Sequence, residues 1–203
     1  MFIQVIQGHV ADPEAAHAAL DRWDRELSPG SYGWLGTTAG VADDGTLVAM
    51  ARFESEEDAR RNSERMEQTR WWEDTAKLFD GEVTFHDCPD VVLYQGGGSD
   101  EAGFVQIIQG HVTDKGRMQM MLRDTESELA SYRPDLMGGE AAVDAGGDYT
   151  EAAFFTSEEE ARQGESKELP AELRQKFEQY MGLFEGGPAY YDLHKPWMYS
   201  PHN

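Results

Sequence analysis

The feature that most constrains the fold of this chain is an internal repeat at one fixed spacing. The segment FIQVIQGHVAD at residues 2–12 returns as FVQIIQGHVTD at residues 104–114, and FESEEDAR at residues 53–60 returns as FTSEEEAR at residues 155–162. The spacing is 102 residues in both cases, and a short insertion in the second copy shifts it further along the chain. Because self-similarity at one spacing marks repeated structural units, the sequence predicts two homologous modules.

Chain length and charge limit the fold and the partners. With 203 residues, the chain can supply two modules of about 100 residues, each large enough for its own core. We predict a first module at residues 1–95, a glycine-rich linker at residues 96–103 and a second module at residues 104–203. The formal net charge of -22 would repel DNA, RNA and anionic lipid. We therefore expect neither nucleic acid nor a membrane as a partner.

Targeting signals, cysteine chemistry and cofactor motifs are absent from the sequence. It shows no positively charged leader with an apolar core and no long apolar run, so we expect a cytoplasmic protein. A single cysteine, Cys88, cannot form an internal disulfide and has no neighbouring cysteine that would complete a zinc site. The sequence also has no glycine-rich phosphate loop and no Cys/His cluster with metal spacing, so no cofactor and no metal are expected.

Each repeat predicts the same order of secondary structure. After the first strand, Asp12 and Pro13 begin a helix, because Asp can cap free amide groups and Pro suits the first helical turn. A pair of antiparallel strands joined by a glycine turn follows. Ser55 then begins a second helix through a reciprocal capping box. This helix should break or bend between residues 62 and 68.

The last strand of the first module should run over residues 83–87, with a possible continuation at residues 91–94. The order is then β-α-β-β-α-β, in which two helices cover one face of a four-stranded antiparallel sheet. The first strand carries apolar side chains on both faces, with Ile3 and Val5 opposite Phe2, so the other face also needs cover. We therefore predict an α+β chain whose two tandem ferredoxin-like modules close into one intramolecular pseudo-dimeric α/β barrel.

The sequence resembles the dimeric α/β-barrel superfamily, which includes antibiotic biosynthesis monooxygenases and stress-responsive barrel proteins. The resemblance rests on the first strand ending in Asp-Pro-Glu, the Phe-Glu-Ser-Glu-Glu entry to the second helix and the Trp-Trp pair before Leu-Phe-Asp-Gly-Glu-Val. It implies that this chain carries both protomers of a barrel that most members build by dimerisation. It also implies a pocket between helices and sheet, where some members oxidise aromatic polyketides without metal or flavin. Members that degrade haem have a histidine ligand on the second helix, and residues 56–79 and 158–184 contain none.

Two histidines are the predicted catalytic residues of the first module. His9 closes the first strand, and His86 lies beside Asp87 on the last strand. A histidine whose pKa is near neutrality can orient or deprotonate a phenol or an enol. The alternative is structural, because a histidine at a strand end can also hydrogen-bond the following turn.

Aromatic residues predict a binding pocket for a flat apolar ligand in the first module. The second copy does not match them, and at the repeat spacing their places are taken by Pro134, Leu136, Leu173 and Arg174. Core packing is the other explanation for each tryptophan. Arg52 would bind an anionic group or pair with a carboxylate, and Gln7 would face a polar cavity or bridge the two sheets. The predicted substrate-binding residues are Tyr32, Trp34, Arg52, Trp71, Trp72 and Gln7.

The second module offers fewer candidates. These are His111, Tyr149 and Tyr191, with Glu151 and His194 as further polar groups. We expect a small-molecule enzyme, a cofactor-independent monooxygenase acting on an aromatic or polyketide-like substrate. A non-catalytic ligand-binding or stress-response barrel is the alternative. The expected partner is a small apolar or aromatic molecule, and the protein would be a monomeric pseudo-dimer or a homodimer of fused barrels.

Overall fold

The chain folds into two compact units. The computed structural model describes residues 1–201, apart from the side chains of Glu126 and Ser127. Unit 1 comprises Met1–Pro89 together with the C-terminal segment, and unit 2 comprises Asp90–Lys195. None of the helices in the described residues is long and apolar enough to cross a membrane.

Unit 1 combines an antiparallel sheet with three α-helices in the described part of the chain. With strands numbered along the whole chain, its strands are β1 (Phe2–His9), β2 (Trp34–Val41), β3 (Thr46–Phe53), β4 (Thr84–Cys88) and β10 (Trp197–Tyr199). Its helices are α1 (Pro13–Glu26), α2 (Glu56–Ser63) and α3 (Met66–Thr75). The strand order is β10-β2-β3-β1-β4. Without β10 this is a ferredoxin-like sheet, which confirms the predicted β-α-β-β-α-β module.

Unit 2 repeats this arrangement. Its strands are β5 (Asp90–Tyr94), β6 (Phe104–His111), β7 (Leu136–Val143), β8 (Asp148–Phe155) and β9 (Ala189–Leu193). Its helices are α4 (Lys115–Tyr132), α5 (Glu158–Glu165) and α6 (Ala171–Met181). The strands are antiparallel in the order β5-β7-β8-β6-β9. The α+β class with two tandem ferredoxin-like modules is therefore confirmed.

Local sequence explains where the helices begin. The amide of Ala15 donates to a carboxylate oxygen of Asp12 at 3.0 Å, which caps α1. The amide of Asp58 donates to the hydroxyl of Ser55 at 3.1 Å, and that hydroxyl donates back to the Asp58 carboxylate at 2.6 Å. The equivalent residues of unit 2 cap α4 and α5 in the same way. Both predicted helix starts are confirmed, as is the predicted break, which falls between α2 and α3.

The fifth strand of each sheet comes from the other sequence repeat. β5 pairs with β7, and β10 pairs with β2. The stretch at residues 91–94, predicted as a possible continuation of the last strand of the first module, therefore lies in the sheet of unit 2. Pro89 explains the interruption, because it has no N–H to donate to a strand ladder.

The insertion in the second repeat lies just before α6. α2 and α5 begin 102 residues apart, whereas α3 and α6 begin 105 residues apart. In this register Trp71 corresponds to Lys176, and Trp72 corresponds to Phe177. The spacing of 102 residues, which pairs Trp71 with Leu173, does not hold beyond the insertion, so that predicted correspondence is wrong.

The sheet of unit 2 presents one face to its helices. Alternation along β8 puts Tyr149 in a core cluster with Met118 of α4, and puts Phe155 in a cluster against Leu129 of the same helix. Glu151 lies between them on the same face of the strand. A carboxylate therefore occupies the middle of an otherwise apolar layer.

Candidate functional site

Unit 2 contains a cavity of about 570 Å³ between its sheet and the helices α4 and α6. This volume is typical of small-molecule sites. Apolar side chains make up most of the wall, including Ile108, Met121, Leu129, Ala153, Leu173 and Phe177. A flat apolar ligand would lose its hydration shell there and gain apolar contacts.

The cavity of unit 2 occupies the place that indole rings fill in unit 1. In unit 1 the ring centre of Trp23 lies 5.0 Å from the ring centre of Trp34 and 6.5 Å from that of Trp71. The corresponding residues of unit 2, all on the cavity wall, are Thr125, Leu136 and Lys176. Because none of the three carries a ring, the space that indoles take up in unit 1 is left open in unit 2.

Comparison of equivalent residues in the two units also locates the entrance of the cavity. In unit 1, Trp72 on α3 meets Phe85 on β4 edge to face, with ring centres 5.2 Å apart. The corresponding residues, Phe177 and Tyr190, lie on the cavity wall and are 49% and 48% exposed. Aromatic side chains that are both exposed and on the wall mark an entrance between α6 and β9.

Glu151 is the polar centre of the wall. It is only 5% exposed. The hydroxyl of Tyr94 donates to its Oε1 at 2.7 Å, and the hydroxyl of Tyr180 donates to its Oε2 at 2.7 Å. Tyr149 donates to the same Oε2 and lies 3.3 Å from the Tyr180 hydroxyl. A carboxylate offers about four acceptor positions, so the three phenols leave about one of them open.

The three phenols are held in their protonated form. Burial raises the pKa of Tyr94, Tyr149 and Tyr180 well above the usual value, and the negative charge of Glu151 raises it further. They therefore donate hydrogen bonds at neutral pH. Each hydroxyl can accept a bond while it donates one. Since Tyr94 and Tyr180 line the cavity, a ligand hydroxyl can donate to either of them.

This cluster is particular to unit 2. The positions of Tyr149, Glu151 and Tyr180 are taken in unit 1 by Leu47, Ala49 and Thr75. Tyr94 does have a counterpart, because it pairs with Gly139 as Tyr199 pairs with the equivalent Thr37. In unit 1, however, Tyr199 donates to Asp21 at 2.9 Å.

The predicted catalytic histidines lie in unit 1, and neither lines the cavity of unit 2. His9 ends β1 with 52% of its side chain exposed, and its Nδ1 lies 3.8 Å from a carboxylate oxygen of Asp80. His86 lies on β4, opposite Val5 of β1. Their roles as acid or base stay predictions.

The predicted substrate-binding residues also lie in unit 1. Trp34 and Trp71 are buried and take part in the indole packing around Trp23. Tyr32 is 42% exposed, and the guanidinium of Arg61 lies 3.8 Å from its ring centre. The remaining three, Trp72, Arg52 and Gln7, lie on α3, β3 and β1. Their part in binding stays a prediction.

Of the second-module candidates, the structure brings Tyr149 and Glu151 together in the cluster. His111 ends β6, where a hydrogen bond with Asp148 at 3.1 Å raises its pKa. Tyr191 lies on β9 opposite Ile107. Sequence reasoning missed Tyr94 and Tyr180, which come from elements distant along the chain. The available signal was a carboxylate on the helix-facing side of a strand, where the first repeat has Ala49.

Comparisons with known proteins identify the fold. No family model matches the sequence, and no curated protein matches it. A proposed monooxygenase from Lactobacillus acidophilus NCFM matches 98% of this chain and 96% of its own, with a TM-score of 0.74 at 10% identity. A second proposed monooxygenase, from Fusobacterium nucleatum subsp. nucleatum, matches 98% of this chain and 94% of its own, with a TM-score of 0.76 at 10% identity. An anthrone oxidase-like protein matches 100% of this chain and 94% of its own, with a TM-score of 0.70 at 12% identity.

The chain has the fold of the ferredoxin-like monooxygenase-type proteins. The resemblance predicted from the sequence is therefore confirmed at the level of fold, over nearly the whole chain. At identities of 10% to 12% the monooxygenase-type fold alone is shared, so activity has to be argued from the site.

Proposed function

We propose that the cavity of unit 2 binds a hydroxylated aromatic or polyketide-like molecule, and that the protein oxygenates it without an organic cofactor or a metal. The observation that carries the proposal is Glu151, a buried carboxylate on the wall of an apolar cavity that accepts hydrogen bonds from three phenols. A buried titratable group beside open volume is a candidate general base. The similar folds support this reading, since two belong to proposed monooxygenases and one to an anthrone oxidase-like protein.

The first chemical step is the removal of a proton from the substrate. A substrate hydroxyl donates a hydrogen bond to Tyr180, whose own hydroxyl donates to Glu151. A proton passed along this pair leaves Glu151 protonated and the substrate as an oxyanion that accepts a hydrogen bond from Tyr180. The apolar wall keeps water from the oxyanion, so its charge spreads into the ring system and onto the reacting carbon.

The second step is the reaction of this anion with dioxygen. One electron passes from the anion to dioxygen, and the two radicals join to form a carbon–oxygen bond. The resulting peroxide takes the proton back from Glu151. The O–O bond then breaks: the carbon loses its remaining hydrogen as a proton, hydroxide leaves, and a carbonyl forms. The reacting hydroxyl is the enol form of a ketone conjugated with a CH₂ group, so the carbon that binds oxygen carries one hydrogen. Counted from the ketone form, a CH₂ group and O₂ become C=O and H₂O, and the substrate supplies every electron.

Oxygen uptake with a panel of hydroxylated anthrones and naphthols tests the proposal. We expect uptake of one dioxygen per product, with one labelled oxygen atom in the product when isotope-labelled dioxygen is used. Glu151→Gln keeps the shape of the side chain but cannot take up the proton, so we expect turnover to fall by a factor of about 100 or more. Ligand affinity should change much less.

His86→Ala is the matched control, because it removes one of the two histidines, His9 and His86, that the sequence alone predicts as catalytic. We expect this variant to keep the parental turnover. If Glu151→Gln is as active as the parent while His86→Ala is inactive, the active site is in unit 1 and the proposal fails. Tight binding in the cavity without any oxygen uptake would instead favour the non-catalytic binding protein.

A further inference from the structure

The end of the cavity opposite the Glu151 cluster carries an arginine. Arg133 follows α4, and its guanidinium lies 5.4 Å from the ring centre of Phe155. Its Nε and Nη2 donate to Asp135 at 3.0 Å and 2.7 Å, and Nη2 also donates to the carbonyl of Ala161 at 3.1 Å. These bonds fix the plane of the guanidinium at the cavity wall.

The third guanidinium nitrogen is available to a ligand. Only 14% of the Arg133 side chain is exposed, and the residue lines the cavity. Among the described residues no side chain or carbonyl accepts a hydrogen bond from its Nη1. A guanidinium has five N–H donors, so the two on Nη1 can donate hydrogen bonds to an acceptor inside the cavity.

Of the other charged residues on this wall, one cation has no carboxylate partner among the described residues. Lys176 pairs with Glu128 at 2.6 Å, and Glu165 pairs with Arg162 at 3.1 Å. The ammonium of Lys167, which also lines the cavity, forms no ion pair with the described residues. Arg133 is itself paired with Asp135, so a ligand meets the Nη1 edge of its guanidinium and the ammonium of Lys167, in a chain whose formal net charge is -22.

Arg133 is particular to unit 2, as the Glu151 cluster is. Arg133 corresponds to Ser31, and Gly164 corresponds to Asn62. A Cβ on Gly164 would lie 2.3 Å from Nε of Arg133, so a larger residue here would displace the guanidinium from its present position. In unit 1, Asn62 fills this place and bonds to the carbonyl of Tyr32 at 2.7 Å.

The distance between the two ends limits the length of the ligand. Glu151 and Phe155 are four residues apart on β8, which is about 13 Å along an antiparallel strand. The apolar wall between them includes Ala153, Leu129 and Leu173. A flat system of about three fused rings with one short substituent spans such a length.

We propose that the ligand of this cavity is a hydroxylated polycyclic aromatic acid, whose hydroxyl meets the Glu151 cluster and whose carboxylate meets Arg133 and Lys167. The identity of the ring system rests on the function proposed above. The carboxylate follows independently from the two cations at the far end, because charge-assisted hydrogen bonds favour an anionic acceptor over a neutral one.

Calorimetric titration with a dihydroxyanthraquinone carboxylic acid and its primary carboxamide tests this inference. Both compounds are already oxidised at the central carbon, so binding is measured without turnover. We expect the acid to bind about tenfold more tightly than the amide at low salt, with the difference shrinking as salt is added. Equal affinities would overturn the acid-binding end and leave the proposed function standing. If neither compound binds, both proposals fail.

Two variants test whether the difference in affinity between the acid and the amide arises from Arg133 and Lys167. Lys167→Gln changes an exposed side chain, so it should fold normally and lose most of the preference for the acid. Arg133→Gln should do the same, and its far-ultraviolet circular dichroism checks the fold after loss of the Asp135 pair. Arg174→Gln, which removes a cation of α6 that is not on the cavity wall, is the matched control and should keep the preference. A preference for the acid that survives both Lys167→Gln and Arg133→Gln contradicts the assignment.

Discussion

Replacing Tyr94 with phenylalanine should destabilise unit 2 through the loss of one hydrogen bond to a buried carboxylate. The Tyr94 hydroxyl donates to Oε1 of Glu151 at 2.7 Å, and both residues are at most 5% exposed. A hydrogen bond to a charged group contributes about 1.5–3 kcal/mol, and more is lost when the remaining partner stays buried. We therefore expect Tyr94→Phe to lower the free energy of unfolding by about 2 kcal/mol.

The equivalent tyrosine of unit 1 provides a matched control. Tyr199 occupies the same place in its sheet, but its acceptor is Asp21, whose side chain is 43% exposed. Water can replace the lost donor there, so Tyr199→Phe should cost about 0.5–1 kcal/mol. The same chemical change thus has different predicted effects at two equivalent positions.

Urea unfolding followed with two probes measures the difference. All five tryptophans lie in unit 1, so their fluorescence reports on that unit, while six of the eight tyrosines lie in unit 2 and dominate its near-ultraviolet signal. At a slope of about 2 kcal/mol per molar urea, Tyr94→Phe should lower the midpoint of the tyrosine signal by about 1 M. Equal shifts for the two variants would refute the reasoning that the Glu151 cluster is a charged, desolvated network.

Three further results are expected. Thr125→Trp restores the indole that Trp23 supplies in unit 1, so it should fill the cavity and reduce ligand affinity at least tenfold in calorimetry; unchanged affinity would contradict the cavity assignment. The pKa of each cluster tyrosine is raised in the folded protein, so the unfolded chain loses these phenol protons at lower pH. The protonated phenols therefore stabilise the fold fully below about pH 10, and this contribution is lost as the pH rises above about 10. Tyrosinate absorbance should therefore show three phenols ionising only as the circular dichroism of the fold is lost, and not reversibly in the folded state. The pKa of His111 is raised by Asp148, so this pair is favourable below about pH 6.5 and is lost as pH rises through the folded pKa; Asp148→Asn should lower that pKa in an NMR titration.

Local sequence signals are sufficient to predict the modules. The repeat at residues 2–12 and 104–114 fixes two copies of one fold, and Asp12 and Ser55 mark helix starts because their side chains satisfy free amides within three residues. The partners of β5 and β10 are not predictable in this way. Short edge strands pair with whichever sheet edge the folded chain presents, so their pairing depends on contacts distant in sequence.

The site is harder to read because aromatic residues can fill a space or line it. The sequence shows that the repeats differ at Trp34 and Trp71, but it does not show that the indoles pack on one another. The insertion before α6 also hides that Trp71 corresponds to Lys176. Glu151 is visible as a carboxylate where the first repeat has Ala49, yet its three phenolic donors come from β5, β8 and α6. Only the fold brings them together.

Methyl NMR of the methionines tests most directly whether the cavity of unit 2 is the ligand site. Met121 lies on the cavity wall, whereas Met50 and Met66 belong to unit 1. On titration with a dihydroxyanthraquinone carboxylic acid, we expect the methyl signal of Met121 to shift and saturate while those of Met50 and Met66 stay in place. A saturating shift of Met50 or Met66 with Met121 unchanged would contradict the account and place the ligand in unit 1.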